Sequence, residues 1–131
     1  MRVASVPLWE YADLVVQTKT WGSRRPRFSN WQEGEMLVVL VGREGVLVAS
    51  VQRSAFISNQ TIWSGDPYSY RIGVRIISKV AQAAGRAMNE DIRRILTAGF
   101  GRTYGFQVIS QHQLPVQVGN AVQEALQRGS D

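Results

Sequence analysis

Apolar positions along the chain change period several times, and each change marks an element. In residues 7–17, Leu8, Tyr11, Ala12 and Val15 recur at helical spacing, with Pro7 suited to a first turn. Residues 22–35 hold Gly, Ser, Pro and Asn without a period, which predicts an exposed loop carrying Arg24, Arg25 and Arg27. The β-branched run Met36–Val41, the Gly42-Arg-Glu-Gly45 turn and the run 46–51 predict a β-hairpin. Residues 70–77 alternate, with Arg71, Gly73 and Arg75 on one face, and predict a strand whose arginines meet solvent or a ligand. Asn89 reads as the N-cap of a helix, with Glu90 and Asp91 in its first turn and an end near Gly99. A last strand is expected at 105–110, and a closing helix at 115–127, where Val118, Val122 and Leu126 fall four apart beside Ala121 and Ala125. A β meander flanked by helices, without repeat, linker or low-complexity tract, predicts one α+β domain over residues 1–131, built as a small barrel.

Composition narrows the class. With 131 residues, 44% of them apolar, one domain buries roughly two thirds of its unfolded-chain surface without covalent staples. Cysteine is absent, which rules out disulfides, thiolate nucleophiles and cysteine-based zinc sites. The single histidine, His112, has no neighbours that suit a metal site or a triad, so no cofactor is expected. No run approaches the roughly 18 apolar residues of a membrane span, and the first residues lack an apolar leader core. A soluble, cytoplasmic protein with no membrane partner is the expectation.

Charge adds a partner class. The net charge is +5, the pI is near 10.2, and the basic residues are 13 arginines with Lys19 and Lys79. Arginine offers a planar fork for phosphate or guanine and stacks on bases, so nucleic acid is the favoured partner. The bland explanation of the same count is a compositional bias.

Trp21 and Trp63 stand on either side of the hairpin, in Lys19-Thr-Trp-Gly22 and Thr61-Ile-Trp-Ser-Gly-Asp-Pro-Tyr68, each beside turn-forming residues. That setting suggests two rings lining the mouth of an aromatic pocket; the other reading buries both in the barrel. A base entering such a pocket leaves its stack at a cost of a few kcal/mol in a duplex, and stacking on an aromatic ring returns about 1–3 kcal/mol. A buried methyl adds about 0.8 kcal/mol, roughly fourfold in affinity, so sharper discrimination needs polar groups at the base edge. Ser23, Ser58 and Asn59 are the candidates for that edge. Arg24, Arg25 and Arg27 follow Trp21 closely and would neutralise flanking phosphates; Arg53, Arg71, Arg75 and Arg102 would extend the path.

Other constellations argue weakly for chemistry. Glu33 and Glu35 flank Gly34, but acids are common at a strand entry, and nothing pairs them with a substrate site. The stretch 99–105 is glycine-rich yet lacks the Gly-Lys-Ser/Thr ending of a phosphate-binding loop. An enzyme is not expected.

The run from Lys19 through the hairpin to Ile77 resembles the YTH and EVE domains of the PUA-like superfamily, the latter similar to N-terminal domains of modification-dependent McrB-type restriction proteins. The shared order is Trp21, then Gly34-Glu35 before a strand, then Trp63-Ser64 in a turn, then an Arg-bearing strand. Gln113-Leu-Pro115 leading into a helix is similar to the end of YTH domains, so the resemblance spans most of residues 1–128. It implies a PUA-like β pseudo-barrel flanked by helices that reads a modified base: methylated adenine in RNA for YTH domains, methylated bases in DNA for EVE-like domains. It places Trp21 and Trp63 as cage walls and leaves the third wall among Trp31, Tyr68, Tyr104 and Phe106. The expectation is therefore a non-catalytic reader that takes a flipped, methylated base, in DNA more than RNA, and works with an effector nuclease or ATPase on the same or another chain. An RNA-binding PUA-like module and a protein-interaction barrel with tryptophan hot spots are the alternatives.

Overall fold

The computed structural model describes residues 1–23, 31–57, 70–102, 104 and 113–130. Strand β1 (Arg2–Val6) leads into helix α1 (Trp9–Thr18), strands β2 (Thr20–Ser23), β3 (Met36–Val41), β4 (Gly45–Ile57) and β5 (Tyr70–Val80), then helices α2 (Gln82–Phe100) and α3 (Val116–Ser130). The strands form one sheet in the order β1-β3-β4-β5-β2, with β1 parallel to β3 and the other neighbours antiparallel. The architecture is α+β, as the sequence predicts.

The sheet buries both faces. On the first face, Ala4 and Val6 of β1, Leu37, Val39 and Val41 of β3, Leu47, Ala49 and Val51 of β4, and Ile72 and Val74 of β5 meet Ala12 and Val15 of α1, together with Trp21 and Trp31. On the second, Val3, Val38, Leu40, Val46 and Val48 meet Met88, Ile92 and Leu96 of α2 and Val122, Ala125 and Leu126 of α3. This explains why Met36–Val41 is a continuous apolar run rather than an alternating one: β3 lies inside the sheet with cover above and below.

Irregularities in register curl the sheet into half a barrel. Val48 faces Ser78 while Ala49 faces Ile76, which leaves Ile77 as an extra residue on β5, and two further shifts fall between Val51 and Arg53 and between Arg53 and Phe56. Extra residues of this kind bend a strand and raise its local twist. The β3–β4 hairpin turns at Gly42, whose φ is +51°. A Cβ there would stand 2.8 Å from the Pro7 carbonyl oxygen, so glycine is required twice over.

Two expectations need correction. Strand β1 is absent from the sequence-based reading, yet it fills an edge of the sheet. Asn89 is not an N-cap; α2 begins at Gln82, and Asn89 lies mid-helix, buried, with its amide donating to the carbonyls of Gly42 (3.1 Å) and Gly45 (2.8 Å). The stripe that α2 buries is Gly85, Met88, Asn89, Ile92 and Leu96, so its first turns present glycine and a polar amide where a hydrophobic signal is sought. Gly85 is needed because a Cβ would strike the Val80 carbonyl. The helix expected at 115–127 corresponds to α3, while the strand expected at 105–110 lies outside the described residues.

Candidate nucleic-acid interface

Trp21 sits on β2, a four-residue strand bonded to β5 with Trp21 opposite Ile72. Alternation along the pair turns both side chains to the first face, where Trp21 joins the core cluster and keeps 6% of its surface exposed. The ring is thus covered, not presented at an open mouth. Its Nε1 is buried and finds no acceptor among the described residues. Tyr70, half-buried on the same face, stands opposite Ser23 at the end of β2.

Trp31 belongs to the same cluster at 4% exposure. A turn fixes the chain directly after it. The Glu35 N–H donates to the Gln32 carbonyl at 3.2 Å, with Gly34 at φ +90°, the left-handed third position that a type II turn demands. Reciprocal bonds of 2.8 Å tie Gly34 and Glu35 to Val51 of β4. From the other side, the Arg2 guanidinium lies 5.0 Å from the Trp31 ring centroid and grips Glu35 by two contacts, Nε to Oε2 at 2.6 Å and Nη2 to Oε1 at 3.4 Å. Glu35 is therefore an ion-pair partner that braces an aromatic side chain. Arg2 escapes sequence reasoning because a charge in a five-residue strand breaks the apolar pattern that would reveal the strand.

The arginines separate from this cluster. Arg71 is opposite Gly22 and Phe56, on the face turned away from Ile72 and Trp21. It is 2% exposed, and loss of solvent lowers its pKa below the usual arginine value. The expectation that it meets solvent is corrected: Arg71, the second residue of β5, is covered where that strand pairs with both β4 and β2. Arg53 is exposed, and its Cβ occupies the space that a Cβ on Gly73 would take, which puts it on the same side as Arg71. Arg75 is exposed on β5, and Arg102 is exposed just past the end of α2.

Tyr104 is corrected as a third wall. It packs in the second cluster, and its hydroxyl accepts from Arg93 Nη1 at 2.9 Å, so the sheet stands between it and Trp21. Of the four candidates for that wall, Trp31 alone among the described residues shares a cluster with Trp21. Trp63, Ser58, Asn59, Arg24, Arg25, Arg27, Tyr68 and Phe106 lie outside the described residues. Among the described residues no group of three His, Asp or Glu side chains gathers as metal ligands, and no helix is long and apolar enough to cross a membrane.

Solved structures share this arrangement of curled sheet and helices. The YTH domain of Zygosaccharomyces rouxii MRB1, in complex with N6-methyladenosine RNA, matches with a TM-score of 0.57 over 94% of this chain and 83% of that chain, at 12% identity. The Pho92 YTH domain, in complex with m6A, matches with a TM-score of 0.54 over 93% and 79% at 17% identity. This chain has the fold of a YTH domain. No protein-family model matches the sequence, and no curated protein does. Within that YTH-type fold, β2 carries Trp21 at one edge of the sheet, and Arg2 of the opposite edge strand braces Trp31.

Proposed function

We propose that this chain is a non-catalytic reader of a methylated base in RNA, accepting the base against tryptophan rings while arginines hold the phosphates. The observation that carries the reading is the YTH-type fold across nearly the whole chain, with two such domains solved around methylated adenine. Trp21 and Trp31, gathered in one cluster on one face of the sheet, supply two of the rings. Trp63, with Ser58 and Asn59, is assigned to the same pocket from the sequence, and Ser23 ends the strand that carries Trp21. Arg24, Arg25 and Arg27 take the flanking phosphates, with Arg53 and Arg102 further out.

RNA replaces the DNA preference of the sequence-based reading, because these two YTH domains are complexes with methylated adenine, that of MRB1 in RNA. In RNA the target base is already single-stranded or easily splayed, so the unstacking cost is small and stacking on aromatic rings is net favourable. A reader of this kind performs no chemistry and passes the bound strand to an effector such as a nuclease or ATPase. The test is a binding array of short RNA and DNA oligomers carrying N6-methyladenine, 5-methylcytosine or plain bases. Preference for methylated adenine in RNA supports the reading; indifference to methylation at every base removes it.

A further inference from the structure

We infer that the Trp21 indole N–H is a hydrogen-bond donor held for an acceptor on the bound nucleobase, a ring nitrogen at the base edge. The inference rests on the base-reading function above and adds a specificity-determining contact to it. Its starting point is the buried Nε1 of Trp21, which has no acceptor among the described residues. Indole N–H groups that enter a protein interior normally find a partner, and a group left without one in a native structure calls for a reason. The surroundings supply none: the cluster around the ring is built mainly of apolar side chains such as Ile72, Val74 and Val51, and the Tyr11 and Tyr70 hydroxyls that border it are not bonded to the indole.

The location of the residue gives the reason. β2 is four residues long and is bonded to β5 alone among the described strands, so it is an edge held by one short ladder. A small outward displacement of such an edge uncovers the indole, and short, singly bonded segments sit at the low-stability end of a structure. Trp21 is at the same time a residue that the sequence pattern assigns to the base. A ring that only stacked would need no N–H, and a ring that only filled the core would be better replaced by phenylalanine. Stacking plus one donor explains why tryptophan stands there, because a site that hydrogen-bonds its ligand rejects analogues lacking the partner atom far more strongly than a purely apolar pocket does.

The experiment replaces Trp21 by 3-benzothienylalanine, which keeps the bicyclic shape and exchanges the N–H for sulfur. Wild type and variant are measured for thermal stability and for affinity to a short RNA containing one N6-methyladenosine, and to the same RNA with N1, N3 or N7 of that base replaced by CH. The variant is expected to melt no lower than wild type, because no bond is lost in the unliganded protein. It should bind the parent RNA about 10-fold more weakly, equivalent to about 1.4 kcal/mol. One of the CH-substituted RNAs should bind wild type weakly yet cost the variant nothing further. If the variant retains the wild-type ratios across all four RNAs, the inference is overturned. It is also overturned if the variant melts lower with those ratios intact, which would show the N–H bonded to an internal water. If wild type itself shows no preference for the methylated RNA over plain RNA, the base-reading function falls and this inference with it.

Discussion

Replacing Asn89 by alanine tests how the fold holds its central hairpin. The Asn89 amide donates to the carbonyls of Gly42 at 3.1 Å and Gly45 at 2.8 Å, and its oxygen accepts from Arg93 Nε at 2.8 Å. Three hydrogen bonds are lost together from a residue that is 1% exposed. At about 1 kcal/mol net each, and more for the bond from the charged guanidinium or for a carbonyl left dry, the loss comes to about 3–4 kcal/mol. Arg93 also donates to the Gly42 carbonyl, so one of the two turn acceptors keeps a partner, and the lower part of that range applies. A domain of this size has roughly 7–20 kcal/mol in total by the usual per-residue figure, so the variant folds but is visibly weakened. Urea unfolding followed by circular dichroism should show the midpoint falling at unchanged slope, by about 1–2 M. Thr97→Ala is the control: its hydroxyl donates to the Arg93 carbonyl on an exposed face, and its loss should cost under about 0.5 kcal/mol. A loss below about 1 kcal/mol for Asn89→Ala would refute the latch between α2 and the hairpin.

Further predictions follow from the same physics. Arg2→Ala strands the nearly buried Glu35 carboxylate and should cost about 3–5 kcal/mol in urea unfolding, whereas Arg2→Met combined with Glu35→Leu should recover most of that loss. A double variant as weak as Arg2→Ala would show that the ion pair itself, rather than the avoidance of an orphaned charge, holds this corner. Gly42→Ala should lower stability by more than about 1 kcal/mol, since φ is +51° and the new Cβ meets the Pro7 carbonyl. Arg24→Ala with Arg25→Ala should weaken methylated and plain RNA alike and flatten the dependence of log affinity on log salt by about 1–2 units, read by fluorescence anisotropy between 50 and 200 mM salt. Trp63→Ala should erase the preference for the methylated base while circular dichroism stays native; global unfolding would assign that ring to the core.

Much of the fold was legible because burial writes itself into the sequence where it is one-sided or complete. Met36–Val41 advertises an interior strand, and Val118, Val122 and Leu126 advertise the buried stripe of α3. Legibility failed where a polar or small side chain does a buried job. Arg2 hides β1, Gly85 and Asn89 hide the first half of α2, and Arg71 looks solvated in an alternating strand yet is covered. Two of these depend on a partner distant in sequence: Glu35 for Arg2 and the Gly42 turn for Asn89.

The candidate site was legible to a different degree. Trp21 was singled out by its turn-rich setting, and it does share a cluster with Trp31, but nothing local to the chain could reveal that both rings lie on the same face. That face is set by the pairing of Trp21 with Ile72 and by the turn at Gly34, which are long-range events. Tyr104 fails as a wall for the same reason, since the sheet passes between it and Trp21.

The most direct measurement is the affinity of the full chain for one short single-stranded RNA with and without a methyl group on the N6 of a single adenine, at one salt concentration. The account predicts that the methylated strand binds several-fold tighter, beyond the roughly fourfold that burial of one methyl supplies, and that its DNA counterpart binds less well. Equal affinity for the methylated and plain strands would contradict it.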